Sequence, residues 1–149
     1  MEIRRGKITD LDSIYRIERE SFDSLSYSRD FLRELLIMYE DFFFVAIMDD
    51  QVVGYIVART SGDIGHIISI AVDKKFRGMG IGNKLLDRVL EELKKAHAKR
   101  IFLEVSKDNI AAINLYEKKG FKIRRLLRNY YGFGRHAYEM IMNLDEERK

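Results

Sequence analysis

Residues 64–95, IGHIISIAVDKKFRGMGIGNKLLDRVLEELKK, constrain the fold more than any other stretch. IGHIISIAV is rich in β-branched residues and reads as a strand. Ile81, Leu85, Val89 and Leu93 recur every four residues and predict a helix to about Lys95, with Glu91 and Lys95 paired on its wet side. Between them Gly78, Gly80 and Gly82 alternate, with Arg77 at their edge. The first four N–H groups of a helix lack internal partners, and its dipole is positive there. Glycines let a ligand approach that backbone and permit dihedrals other residues resist. The segment therefore reads as an anion cradle, most naturally for phosphate or pyrophosphate, with Arg77 as a cation at its mouth. By itself it also fits a ligand-free strand–helix turn.

The rest of the chain supplies a sheet for that unit. EIRRGK is a short first strand. Thr9 or Asp10 is expected to cap a helix with Leu11, Ile14, Ile17, Ser21 and Phe22 on one face. DSLSY is a loop, and a second helix runs from about Ser28 to Tyr39 with Phe31, Leu32, Leu35 and Leu36 inward. FFFVAIM, DDQ and VVGYIVART form a hairpin, and SGD turns into the fourth strand. After the glycine segment and its helix, RIFLEV is a fifth strand. SKDN opens a helix that Gly120 stops as a left-handed cap, and FKIRRLLRN and HAYEMIMNL flank the tip YYGFG. The order is β-α-α-β-β-β-α-β-α-β-β: an α/β fold whose mixed, seven-stranded sheet begins antiparallel and gains crossovers in its second half, with about four helices.

Composition removes several chemistries. The 149 residues, 46% apolar, suit a single domain over 1–149. The N-terminus lacks a signal-peptide core, and the longest apolar run is too short for a bilayer, so a cytoplasmic location is expected. Cysteine is absent, which removes disulfides, thiolate metal sites and a cysteine nucleophile. His66, His97 and His136 lack zinc-site spacing, so no metal is expected. From Lys118 to Arg135 there are seven basic residues and no acidic one, which suits a solvated strand face or an anionic partner. Nucleic acid as the main ligand is disfavoured, because no helix joins arginines to base-reading residues.

Two familiar phosphate loops fail here. A Walker loop and a dinucleotide fingerprint both require glycine at position 83, which is Asn83. RGMGIG, from Arg77 to Gly82, instead resembles the [Q/R]-x-x-G-x-[G/A] signature of the GNAT N-acetyltransferase superfamily, whose fold has this element order. FLEVSKDNIAAINLYEKKGF is similar to RimI-type and archaeal N-terminal acetyltransferases. GHIISIAV and NYYGFGRHAYEM resemble NatA-catalytic-type members.

The resemblance implies that Gly78, Met79, Gly80, Ile81, Gly82 and Asn83 line the pyrophosphate of acetyl-CoA. Ile70, Ala71 and Val72 would pair with its pantetheine arm, and Asn109 would be a further contact. It implies Glu104 as general base, Tyr116 as general acid and His66 beside Glu104, with Tyr130 and Tyr131 on the substrate backbone. Leu25 and Tyr27 are expected to shape the pocket for its first residue. Against the relatives' pattern, two acidic positions of the last hairpin are here Arg135 and His136.

The chemistry asks for these types independently. An α-ammonium of pKa about 7.7–8.0 must lose a proton before attacking a thioester, and a carboxylate can take it. The developing oxyanion wants a fixed donor, such as a strand-end N–H near Val72. The departing thiolate wants a proton, which a tyrosine can give. At pH 7 roughly 10% of α-amines are neutral against about 0.04% of lysines. Each residue has a plainer role open to it: Glu104 a structural ion pair, Tyr116 a core ring, His66 a satisfied strand residue, while His97 and His136 read as surface or turn residues. The expected function is acetyl-CoA-dependent acetylation of protein N-termini by direct transfer, with proximity to the ribosome as a further expectation. A GNAT acting on a small amine, polyamine or lysine is the alternative, followed by a non-catalytic acyl-CoA module and a nucleic-acid binder. The preferred first residue and the oligomeric state stay open at this stage.

Overall fold

The computed structural model describes residues 1–144. Its elements follow the expected order: β1 (Glu2–Arg5), α1 (Leu11–Phe22), α2 (Arg29–Met38), β2 (Phe43–Met48), β3 (Gln51–Ser61), β4 (Ile64–Val72), α3 (Ile81–Lys95), β5 (Arg100–Ser106), α4 (Ile110–Lys119), β6 (Lys122–Leu127) and β7 (Ala137–Asn143). They build one seven-stranded sheet, β1-β2-β3-β4-β5-β7-β6, in which only the β4–β5 pair is parallel. The β2–β3 turn places Asp49 and Asp50 at φ 51° and 61°, as a two-residue hairpin turn of the primed type requires.

The two apolar stripes bury opposite faces of the sheet. Leu11, Ile14 and Ile17 of α1 and Leu32, Leu35 and Leu36 of α2 pack with Phe43, Val45, Tyr55 and Val57. Ile81, Leu85, Val89 and Leu93 of α3 join Phe44, Ile67, Ile101, Leu103 and Met140 on the other side. Alternation on β5 therefore turns Phe102 and Glu104 away from α3. The α1–α2 cluster draws nothing from β5, β6 or β7 among the described residues, so that half of the sheet carries no helix over the face that holds Glu104.

Two local expectations are corrected. Ser28 does cap α2, accepting from the Phe31 N–H at 3.1 Å. Phe31 itself is 38% exposed, its ring tilted over Tyr27 at 4.8 Å instead of entering the core. Neither Thr9 nor Asp10 caps α1 through its side chain. The Asp10 carboxylate accepts from the Arg4 guanidinium at 2.8 and 3.0 Å and from the Lys7 N–H at 2.8 Å, which ties the strand β1 to the turn before α1.

What positions the site is a split in the sheet. The parallel β4–β5 ladder holds for three pairs, Ile64↔Arg100, Gly65↔Ile101 and His66↔Phe102, and then ends. Beyond it β5 stays paired to β7 as far as Ser106↔Ala137, and β4 stays paired to β3 as far as Val72↔Gly54. A wedge opens between the carboxyl ends of two neighbouring strands, where ligands of α/β sheets bind. A bulge at Ile68, between Val57↔Ser69 and Ala58↔Ile67, bends β4 where the separation begins.

Candidate active site

The glycine segment sits at the open end of the wedge. Asp73 ends β4, and its carboxylate accepts the Lys75 N–H at 3.0 Å and pairs with Arg16 of α1 at 3.1 Å. Burial opposes that charge, yet these hydrogen bonds hold the Asp73 carboxyl below its ordinary value. The Arg77 Nε donates to the Val72 carbonyl at 3.1 Å and its Nη2 to the Ser21 hydroxyl at 3.2 Å. Arg77 thus stands beside the glycine segment as a strut between β4 and α1.

Gly78 and Gly80 take φ of +78° and +82°, and a Cβ on either would meet only open space. Both are glycine for their backbone conformation and keep that space clear. The first bond of α3 runs from the Lys84 N–H to the Gly80 carbonyl at 3.1 Å, so the N–H groups of Ile81, Gly82 and Asn83 precede the ladder. The Ile81 side chain is buried in the core, and Met79 is 55% exposed, so these two can serve an anion through their backbone. Ile70, Ala71 and Val72 lie on the stretch of β4 that β5 has left. Free amides at a helix start, a cleared approach and an open strand edge together fit a pyrophosphate with an extended arm.

Deeper in the wedge the His66 Nε2 lies 2.8 Å from the Glu104 Oε1, with side chains 17% and 14% exposed. The imidazole lies flat on the Phe102 ring, centroids 4.3 Å apart and 3° from parallel. Its Nδ1 is buried without a partner among the described residues. Register explains the grouping: His66↔Phe102 is the last parallel pair, and Glu104 follows two residues on, on the same face.

Three phenols surround the carboxylate. Burial pushes Tyr27, Tyr130 and Tyr131 above the usual tyrosine value, and each also feels the negative charge of Glu104. Tyr130 and Tyr131 meet edge to face at 4.9 Å, on a tip whose turn the Asn129 Oδ1 holds by accepting from the Gly134 N–H at 2.8 Å. His136 accepts from the Asn129 N–H at 3.0 Å, a turn role, and His97 takes φ +66° just after α3. The Arg135 Nη1 reaches the Ser24 hydroxyl at 3.4 Å, linking this tip to the α1–α2 loop. Tyr116 is buried on α4 against Phe121, and burial followed by the nearby Tyr131 drives its hydroxyl upward, so it keeps its proton at neutral pH.

The structure thus gathers Glu104, His66, Tyr27, Tyr116, Tyr130 and Tyr131. Two further expected residues are placed by local structure. The Asn109 Oδ1 caps α4 by accepting from the Ala112 N–H at 3.2 Å. Leu25 is 40% exposed in a short turn of 3-10 helix over Asp23–Leu25. The basic stretch is partly compensated: Arg124 and Arg125 pair with Glu139, and Lys119 pairs with Asp87. One group escaped the sequence reading, the buried Glu18 on α1, bonded to Tyr55, Ser69 and Tyr27. Its signal was an acid four residues after Ile14, on the apolar face.

Comparison with known proteins agrees with this geometry. The "N-alpha-acetyltransferase" of Sulfurisphaera tokodaii is 40% identical over 151 residues, covering 93% of this chain and 90% of that protein. Ard1 from Thermoplasma volcanium superposes with a TM-score of 0.90 at 34% identity, covering 95% of this chain and 96% of that one. The ribosomal-protein-S18-alanine N-acetyltransferase of Escherichia coli does so with a TM-score of 0.85 at 27% identity, covering 96% and 93%. The model of the acetyltransferase (GNAT) family matches residues 10–121, and the chain belongs to that family of N-acetyltransferases.

Proposed function

We propose that this enzyme acetylates the α-amino group of protein N-termini by direct transfer from acetyl-CoA, with Glu104 as the base. The observation that carries the reading is where Glu104 sits: in the open part of the wedge, hydrogen-bonded to His66, on a sheet face that no helix covers among the described residues. The names of the relatives, which act on protein α-amines, point to the same substrate class.

The residues then take the following parts. The backbone N–H groups of Ile81, Gly82 and Asn83 hold the pyrophosphate, with Gly78 and Gly80 keeping its approach clear. The β4 edge from Ile70 to Val72 pairs with the pantetheine arm, and an N–H near Val72 faces the oxygen that gains charge. Acetyl-CoA supplies the activated acetyl group. The peptide enters between Tyr27 and the Tyr130–Tyr131 tip, and its first residue lies toward Leu25. Glu104, held by His66, takes the α-ammonium proton; as the C–S bond breaks, Tyr116 gives its proton to the departing thiolate and takes up the second proton of the attacking nitrogen. With no cysteine in the chain, no thiol is available for an acetyl-cysteine intermediate.

The test supplies acetyl-CoA with peptides differing in residue one, the same peptides blocked at the N-terminus, and free polyamines, and follows thiol release. Turnover is expected with free N-termini and not with blocked ones. Glu104→Gln should lower kcat by about 10² or more while leaving acetyl-CoA affinity unchanged. Turnover of blocked lysine peptides or polyamines alone would transfer the site to side-chain or small amines.

A further inference from the structure

We infer that Glu18 is a positioning residue: from beneath the α1–α2 loop it holds Tyr27 in place for the peptide. This rests on the reading of the site as a peptide N-terminus site. Glu18 is 1% exposed. Its Oε2 accepts the Tyr27 backbone N–H at 2.9 Å. Its Oε1 accepts the Tyr55 hydroxyl, and the Ser69 hydroxyl at 3.3 Å. Tyr55 and Ser69 also meet each other at 2.9 Å. One carboxylate thus joins α1, β3, the bulged part of β4 and the loop that leads into α2.

Stability alone does not account for that arrangement. The partners of Glu18 are three neutral donors, and burial raises its carboxyl against the ionised form. An apolar side chain of similar volume would avoid the cost of burying a carboxylate. What an apolar side chain lacks is an acceptor for the Tyr27 N–H. The Tyr27 ring packs against the α1–α2 cluster and Phe31. The other hydrogen bonds that shape Asp23–Tyr27 among the described residues are exposed or local: Arg135 to Ser24 at 3.4 Å, and the Ser26 N–H to the Asp23 carbonyl at 3.1 Å. Asp23 takes φ +44°, a conformation an isolated loop would leave. Glu18 is the buried tether. Tyr27, at its end, lies close enough to Glu104 and Tyr130 to feel both.

The prediction separates placement of the peptide from general packing. Glu18→Met, which offers the Tyr27 N–H no oxygen acceptor, should raise the peptide KM about tenfold, with kcat and the acetyl-CoA Kd changed by less than about twofold. Glu18→Gln, whose Oε1 can accept from Tyr27 while its Nε2 donates to the Tyr55 and Ser69 hydroxyls, should keep KM within about twofold of wild type. Tyr55→Phe, which spares the Tyr27 contact, should lower Tm and leave peptide KM within about twofold. Amide exchange supplies a readout that needs neither variant nor turnover. In the wild-type protein the Tyr27 N–H should exchange as slowly as the amides of α1, while Ser24 and Ser26 exchange quickly. A Tyr27 amide as labile as Ser24, an unchanged peptide KM in Glu18→Met, a rise as large in Glu18→Gln, or an equal rise in Tyr55→Phe would each overturn the inference. A wild-type enzyme that turns over no peptide would overturn the proposed function, and this inference with it.

Discussion

The His66 ring is held by two different contacts, and they separate chemistry from packing. Its face lies on Phe102 and its Nε2 meets Glu104, while Nδ1 is enclosed without a partner among the described residues. A buried ring nitrogen left unsatisfied is a cost that an apolar ring would avoid. His66→Phe therefore preserves the stack and removes only the link to the proposed base. Its expected outcome is a kcat reduced about tenfold, with a Tm equal to or above wild type, read from steady-state rates and thermal melts. A fall in Tm with unchanged kcat would make the imidazole a packing element. At this scale the residue pattern itself was informative about type and silent about company, which only the family resemblance suggested. An acid in a strand, Glu104, stood out because strands rarely bury carboxylates. That it meets His66 depends on a parallel register between residues 38 positions apart, which no local pattern encodes.

The glycine segment shows what an element adds to its residues. Three alternate glycines invite one explanation, yet the structure divides them. Gly78 and Gly80 have positive φ, whereas Gly82 lies inside α3, where a Cβ would meet Leu115 at 3.5 Å and Val72 at 3.8 Å, ordinary contacts. Helix propensity alone makes alanine better than glycine there by about 0.5–1 kcal/mol. Gly82→Ala should accordingly raise stability slightly. If the Gly82 N–H serves the pyrophosphate, the same methyl group narrows the approach beside Val72 and lowers acetyl-CoA affinity. Gly80→Ala should lose on both counts, by about 1 kcal/mol of stability from its left-handed backbone. Urea melts and titration calorimetry on the two variants distinguish a phosphate cradle from a turn, since a turn alone predicts no loss of affinity in Gly82→Ala. Helix and strand periods made these elements legible in advance. Phe31 was misplaced because the spacing that puts Leu32, Leu35 and Leu36 inward leaves it at the border, where the neighbouring Tyr27 ring decides.

The whole molecule is two sheet halves that meet along three parallel residue pairs, and the candidate site depends on how that seam ends. Gly65 lies in the seam, and a Cβ there would come within 3.2 Å of the Leu93 Cδ2 and 3.3 Å of the Ile101 Cγ1. Its φ is not in the left-handed region, so this glycine reflects the close approach of α3. A larger side chain must push Leu93 aside or move β4 from β5, and either disturbs the neighbouring His66. Gly65→Val should cost about 1–3 kcal/mol through overpacking and reduce kcat as His66 shifts from Glu104. In a Leu93→Ala background the space exists, so adding Gly65→Val should cost about 1 kcal/mol less and recover part of the lost rate. The coupling is measured by urea melts of the wild type, the two single variants and the double, with kcat on the same four proteins. Coupling near zero would mean that the β4–β5 seam is not set by the fit of α3 against Gly65. The wedge that exposes Glu104 would then have to arise from the Ile68 bulge alone.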